Sequence, residues 1–150
     1  MAAAARHARH IRADVDTSIR WHVEEGETRI EEIVTPHGKY GPTRLALRGQ
    51  HQLVNAAVAV RLLEELSTAG IPVSHKAIDD ALADTQWPGR LDLIELAPNR
   101  RVLLDPAHNV AAARALAAHI AAWKPAGLPL VFSALKDKDI SGILHALGNT

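Results

Sequence analysis

The spacing of apolar residues changes period several times along the chain, and each change predicts an element. Between residues 17 and 47, Ile19, Trp21 and Val23 alternate with polar neighbours, Gly26 offers a turn, and residues 30–35 form a second β-prone run, which together predict an antiparallel hairpin. Pro36-His37-Gly38-Lys39-Tyr40-Gly41-Pro42 reads as a loop by composition, and Leu45-Ala46-Leu47 as a short third strand. The period then shifts to 3.6: Leu53, Ala56, Val60, Leu63 and Leu66 share one stripe of a helix over residues 50–69, with Gly70 placed as its stop. Ser74 is positioned to cap a second helix, with Val73 and Ile78 spaced as a hydrophobic staple, and the helical pattern fades over residues 83–86. These elements read as the last part of a larger domain.

Trp87-Pro88-Gly89 is a turn that resets the pattern. Residues 91–96 alternate as a half-buried strand, whereas residues 102–104 are continuously apolar, as in a strand covered on both faces. Val110, Ala113, Leu116, Ala117 and Ile120 line one face of a helix over residues 109–122; residues 129–133 read as the next buried strand and residues 139–147 as the next helix. Strand, helix and strand make a βαβ unit, so residues 101–105 and 129–133 are expected as adjacent parallel strands joined by a right-handed crossover, with the helix packed on their sheet. That topology puts Asp105 and the loop 133–136 at one sheet edge. If the 91–96 strand runs opposite to 102–104, Arg90 returns to the same end, beside the turn from Asp105 to His108.

Composition narrows the class. A chain of 150 residues can bury one ordinary core or two partial ones, and 47% hydrophobic with 23% charged residues is ordinary for a globular domain. The 17 basic and 17 acidic residues balance and are mixed along the sequence, so nothing suggests a nucleic-acid footprint or a polybasic membrane patch. The absence of cysteine excludes disulfides and thiolate metal sites. The alanine-rich opening is too short and too soon interrupted by arginine for a signal-peptide core, and no run is long enough to span a bilayer; the expectation is a cytoplasmic protein.

The chemistry concentrates in Arg101-Val102-Leu103-Leu104-Asp105-Pro106-Ala107-His108-Asn109. A strand that ends on an acid, followed by a polar turn and a helix opening at Asn109, is how an open α/β sheet builds a ligand site beyond the carboxyl ends of its strands. Aspartate there accepts hydrogen bonds from ligand hydroxyls, and the free N–H groups of the helix start favour an anion, so the pattern suits a nucleotide or another phosphorylated ligand. Turn chemistry and helix capping place Asp at strand ends too.

Four segments in order, Gly49-Gln50-His51-Gln52-Leu53-Val54-Asn55-Ala56-Ala57, Trp87-Pro88-Gly89-Arg90, Leu104-Asp105-Pro106-Ala107-His108-Asn109 and Lys136-Asp137-Lys138-Asp139, make the chain resemble the folylpolyglutamate synthase/dihydrofolate synthase family of the Mur ligase superfamily. The resemblance runs from about residue 17 onward. It implies an α/β fold: residues 1–86 as the C-terminal part of the central ATPase domain, and residues 87–150 as the N-terminal part of a Rossmann-like C-terminal domain with a mostly parallel sheet. It also implies ATP contacts at Asn55, Arg90 and Asp105, with His108 close to the reacting phosphate. The residue types suit those roles: an amide both donates and accepts at a nucleobase edge, and a guanidinium pairs two phosphate oxygens. For Arg90 the plain alternative is a surface ion pair with Asp92. The resemblance leaves the 136–139 charge run without an assigned contact.

The chain departs from the family where Pro106 stands in place of a common Gly, removing an N–H donor, and where Val110 stands in place of a common Pro. No Gly-x-x-x-x-Gly-Lys-Ser/Thr motif occurs, and the family's Mg²⁺ ligands and pterin-binding region have no counterpart in the sequence; Asp105 and His108 alone do not make a metal site. The expectation is therefore a fragment of an ATP-dependent ligase that adds glutamate to dihydropteroate or folate through an acyl phosphate. It would contribute ATP contacts and be inactive alone, with ATP, glutamate and dihydropteroate or folate as the small-molecule substrates of the parent enzyme. The alternatives are a non-catalytic α/β binding or interaction module, or one part of a split Mur-type ligase that a separate P-loop fragment completes.

Overall fold

The computed structural model describes residues 10–24 and 27–148; the turn expected at Gly26 and most of the alanine-rich opening lie outside them. The chain divides into two compact units, one made of the residues up to Ala46 together with Leu53–Asp84, the other of Leu47–Gln52 together with the residues from Thr85 onward.

In the first unit a one-turn helix, α1 (Ala13–Asp16), precedes an antiparallel sheet of β1 (Ser18–Glu24), β2 (Glu27–Val34), β3 (Lys39–Tyr40) and β4 (Thr43–Leu45). β2 is the central strand: it pairs with β1 from Ser18↔Val34 to Glu24↔Glu27, and its other edge pairs with β3 at Ile33↔Tyr40 and with β4 at Thr28↔Leu45. The register slips where Arg20 faces Glu32 and Trp21 faces Ile30, leaving Glu31 as the extra residue of a bulge. That insertion resets the alternation, and Ile30 and Ile33, three positions apart, both reach the core. α2 (His51–Thr68) and α3 (His75–Asp84) supply the rest of that core, in which Leu53, Ala56, Val60, Ile78 and Leu82 meet Tyr40 and Leu45.

The helix signals act as the sequence suggests. Gly70 adopts φ +89° and lets the Ile71 N–H close back on the Leu66 carbonyl at 3.0 Å, while the Ser74 hydroxyl accepts from Ala77 N–H at 3.1 Å. The antiparallel hairpin of β1 and β2 is found as expected, and one expectation fails: Lys39-Tyr40, assigned to a loop by composition, forms a strand. Of the β1 residues only Ile19 packs against the core, while Trp21 and Val23 are exposed on an edge strand.

In the second unit β5 (Asp92–Ala97) and β6 (Arg100–Leu104) form an antiparallel hairpin, and α4 (Val110–Trp123) packs chiefly against α5 (Ile140–Leu147) through Ala113, Ala117, Ile143 and Leu147. Asn109 and Asp139 cap the two helices, accepting from Ala112 and Gly142 N–H at 2.9 Å each. The expected parallel pairing is not found: residues 129–133 join no ladder, and all strand pairs among the described residues are antiparallel. An apolar run becomes a buried parallel strand only where neighbouring strands take its N–H and C=O groups. Here Val131 is fully exposed, Leu130 is more than half exposed, and only Phe132 of this run packs against the helix pair. The fold is mixed α/β, and among the described residues no helix is long and apolar enough to cross a membrane.

Candidate functional site

Arg90 sits between two residues with left-handed backbone, Gly89 at φ +78° and Leu91 at φ +44°. Each of those amides is held by a carboxylate: Gly89 N–H donates to Asp92 at 2.9 Å, and Leu91 N–H donates to Asp105 at 3.1 Å. Arg90 N–H closes the turn on the Trp87 carbonyl at 3.2 Å. The backbone on either side of Arg90 is thereby fixed, and with it the direction in which the side chain leaves. Leucine in this conformation costs about 1–2 kcal/mol and persists only where the surroundings determine it. Burial of the Leu91 side chain, 2% exposed, supplies that.

The Arg90 side chain itself is exposed and lies over the Trp87 ring at 5.9 Å from its centroid. The ion pair with Asp92 that would make it an ordinary surface residue does not form; Asp92 accepts from Gly89 N–H instead. Among the described residues Arg90 makes no ion pair, and a guanidinium presented in this way suits an anionic ligand.

Asp105 ends β6 and braces two segments at once, with one oxygen on Leu91 N–H and the other on Ala107 N–H at 2.9 Å. Proline at 106 has no N–H to give, and the next amide takes that place. Turn chemistry is therefore realised at Asp105, and the carboxylate keeps further lone pairs for a ligand hydroxyl. His108 donates from Nδ1 to the Pro106 carbonyl at 3.0 Å, which leaves Nε2 as the acceptor of the neutral ring. Both residues line a cleft of about 450 Å³ together with Ser133 and Lys138 and an apolar wall that includes Leu116 and Phe132. The 136–139 run thus reaches the cleft through Lys138; Lys136 is exposed outside its lining.

The antiparallel 91–104 hairpin brings the Arg90 turn to Asp105, and His108 shares the cleft lining with Asp105, whereas Arg90 is not among the residues that line it. Asn55 belongs to the first unit and is exposed on α2. Sequence reasoning missed four residues of this neighbourhood. Asp92 and Leu91 shape the Arg90 turn. His51 and His119 face Asp105 and each other, and burial pushes both imidazoles below the usual histidine range. Arg90 acts in the same direction on His51, as Arg48 does on His119, while Asp105 opposes. The one available signal was Gly49, two residues before His51. Among the described residues no group of three or more His, Asp or Glu is placed to hold a metal ion.

No model of a known protein family matches the chain. Among curated proteins, a probable bifunctional folylpolyglutamate synthase/dihydropteroate synthase of Halobacterium salinarum is 36% identical across 98% of this chain and 18% of its own length. The dihydrofolate synthase/folylpolyglutamate synthases of Bacillus subtilis and Mycobacterium tuberculosis are 36% and 39% identical over 72% and 73% of the chain, which spans 25% and 23% of their lengths. The chain thus covers a quarter or less of these relatives. A solved structure of M. tuberculosis folylpolyglutamate synthase complexed with ADP and AMPPCP superposes with a TM-score of 0.75 at 29% identity, over 97% of this chain and 32% of that one. An FPGS–AMPPCP–folate complex shares the fold with a TM-score of 0.82 at 21% identity, over 97% of this chain and 35% of that one. With the motif order and this shared α/β fold, the relatives establish that the chain belongs to the folylpolyglutamate synthase/dihydrofolate synthase family.

Proposed function

We propose that this chain supplies nucleotide contacts for an ATP-dependent ligase that joins glutamate to dihydropteroate or a folate. The observation that carries the reading is the Arg90 turn: a strained backbone held by two carboxylates, one of them Asp105, with an unpaired guanidinium. In the reaction the γ-phosphoryl group of ATP passes to the carboxylate of the pterin substrate, releasing ADP. The amine of glutamate then attacks the acyl phosphate carbonyl, and inorganic phosphate leaves as the amide forms. Arg90 pairs phosphate oxygens, Asp105 accepts from a ribose hydroxyl or orients the turn, and His108 holds a proton or hydrogen bond next to the transferring group. Asn55 makes a further nucleotide contact.

In this reading residues 1–86 are the end of a central ATPase domain and residues 87–150 the start of a C-terminal domain. Phosphoryl transfer also needs Mg²⁺ and a cradle of backbone amides, and the described residues offer neither a ligand cluster nor a Gly-x-x-x-x-Gly-Lys-Ser/Thr loop. The absent loop motif favours a chain that works only alongside a P-loop-bearing segment.

Titrating ATP into the ¹⁵N-labelled chain tests the reading. Binding with a Kd of about 1 mM or weaker is expected, because a few exposed contacts barely offset the ~4 kcal/mol or more lost on immobilising the nucleotide. The shifts should centre on residues 89–91 and 105–109 and vanish in Arg90→Ala. Adding a P-loop-bearing segment of a family member should yield ATP- and glutamate-dependent ligation. Shifts confined to other residues, or robust ligation by the chain alone, would contradict it.

A further inference from the structure

The neighbourhood of Arg90 contains one side chain that no role above uses. His51 starts α2, and its ring lies against the bare α-carbon of Gly49, which adopts φ +96°. A Cβ at Gly49 would stand 2.7 Å from His51 Cε1, 2.9 Å from His51 Nδ1 and 2.8 Å from Leu91 Cδ1. Three residues therefore meet at a point where no side-chain carbon fits. Leu91 is the residue with the left-handed backbone and the amide bonded to Asp105.

From this geometry we infer that His51 is a positioning residue for Arg90: its imidazole, seated on Gly49, holds Leu91 in its pocket and so keeps the 87–92 turn in the shape that presents the guanidinium. The inference rests on the nucleotide reading for its purpose, but not for its geometry.

Burial of the Leu91 side chain and the Asp105 hydrogen bond act on the same residue from two sides. Removing either leaves a leucine in a conformation worth about 1–2 kcal/mol less than its alternatives. The imidazole suits this seat only when neutral. Its Nε2 lies 3.1 Å from the Gln52 amide nitrogen, whereas Nδ1 is buried without a hydrogen-bond partner. The Gln52 amide nitrogen only donates, so Nε2 accepts and the neutral ring carries its proton at Nδ1; protonation would add an N–H at Nε2 aimed at that donor and break the bond. The charged and titratable groups facing the ring are Asp105 at the end of β6, Arg90 on the turn and His119 on α4. Two of these three are cations or become so on acidification. Protonating His51 should therefore loosen Leu91 and release the turn.

Amide hydrogen exchange on the full chain, read by NMR, tests this directly. At pH 7, His51→Ala is expected to speed exchange of the Leu91 amide at least about tenfold and leave Ala113, in α4, unchanged. Gly49→Ala should do the same by pushing a methyl group into the contact. In the wild type the Leu91 amide resonance should shift as pH falls below 6.5, the ordinary histidine value, and His51→Gln should abolish that shift while speeding Leu91 exchange. In ATP titrations, His51→Ala should weaken binding by about the same factor as Arg90→Ala, with no further loss in the double variant.

Unchanged Leu91 exchange in a folded His51→Ala variant, or an acid shift that persists in His51→Gln, would overturn the inference. So would losses of ATP affinity that multiply in the double variant. Should His51→Ala unfold the unit, Ala113 protection collapses with it, and His51→Gln decides. Should ATP not bind at all, the nucleotide reading fails, and the exchange and pH measurements still decide whether His51 positions the turn.

Discussion

The two units of this chain use charge in opposite ways. In the first, the Glu64 carboxylate is buried and accepts from Thr35, Arg61 and the Tyr40 hydroxyl, the last at 2.8 Å. The Arg61 guanidinium, itself buried, reaches both Asp16 oxygens at 3.2 Å. Donors and acceptors in this network satisfy one another. In the second unit Asp92 and Asp105 spend their hydrogen bonds on backbone amides and leave Arg90 exposed. Its helix core rests on Ala113, Ala117, Ile143 and Leu147, while Val102, Leu104, Leu130 and Val131 remain exposed. Buried polar groups that close on each other are scaffolding; polar groups that hold a strained turn and leave a cation free are the arrangement of a site.

The comparison breaks first if Glu64 is not structural. Glu64→Ala takes the buried carboxylate from Arg61, which keeps Asp16, and leaves the Thr35 and Tyr40 hydroxyls without their acceptor, so a loss of about 2–4 kcal/mol is expected in urea unfolding of the first unit. A loss below about 1 kcal/mol would mean that the network is not buried as described. The matching change in the second unit is Ile143→Ala, which empties a fully buried position of a core otherwise built largely from small residues. It should cost about 2–4 kcal/mol and remove amide protection in α4 and α5. Amides of β2 should keep theirs, since β2 belongs to the other unit.

Titration separates the units without mutation. Burial, and then Glu64, push the Tyr40 hydroxyl up to about 12. An acid whose folded value is raised contributes stability that is complete below its unfolded value of 10.0 and is lost as pH climbs towards 12; the first unit should weaken by at most about 2–3 kcal/mol over that window. The second unit should fail on the other side. His51 and His119 both titrate below their unfolded 6.5, so the unfolded chain binds protons first and stability falls as pH drops through 6.5. Burial pushes the Glu64 carboxyl up, but the hydrogen bonds from Thr35, Arg61 and Tyr40 outweigh it and leave it below 4.5, so its contribution is lost only at lower pH. Amide protection followed from pH 7 to 5 should therefore decline in α4 before it declines in β2, and simultaneous loss would contradict this division.

What could be read in the sequence follows the same line between local and distant causes. Gly70, Ser74 and the 3.6-residue stripe from Leu53 act within a few residues of themselves, and α2 stops and α3 starts where those signals stand. The hairpin that brings Arg90 to Asp105 was legible because the 91–96 and 102–104 runs are adjacent in the chain. The Lys39-Tyr40 strand was not, since it exists only through pairing with Ile33 and Val34 inside a loop rich in glycine and proline. Nor was the lack of a ladder at residues 129–133, where apolar composition alone suggested a buried strand. At the site, motif residues were visible one by one. The left-handed Leu91, the engagement of Asp92 and the His51 contact depend on how distant segments meet, and no local pattern announces them.

The smallest effect sharpens the comparison at its finest grain. Among the described residues the positive-φ positions of the first unit, Gly41 and Gly70, are glycines, while the two non-glycine residues with positive φ, Leu91 and Asn99, both lie in the second. Asn99 follows Pro98 in the two-residue turn that links Ala97 to its partner Arg100, at φ +62°. Proline then asparagine suits the middle of such a turn, because proline presets its own φ and asparagine tolerates the left-handed region. Nothing but the turn depends on it, so Asn99→Gly should change stability by no more than a few tenths of a kcal/mol. Asn99→Val should cost about 1–2 kcal/mol in unfolding of the second unit and leave the Leu91 amide protected relative to its neighbours. Leu91 shares the sign of φ but is held by Asp105 and its buried seat. Leu91→Gly relieves the backbone cost yet gives up that seat, so it should leave the turn looser and raise exchange at residues 89–91. If the two glycine substitutions behave alike, the strain at Leu91 is an ordinary turn, and the distinction between scaffold and site loses its sharpest local evidence.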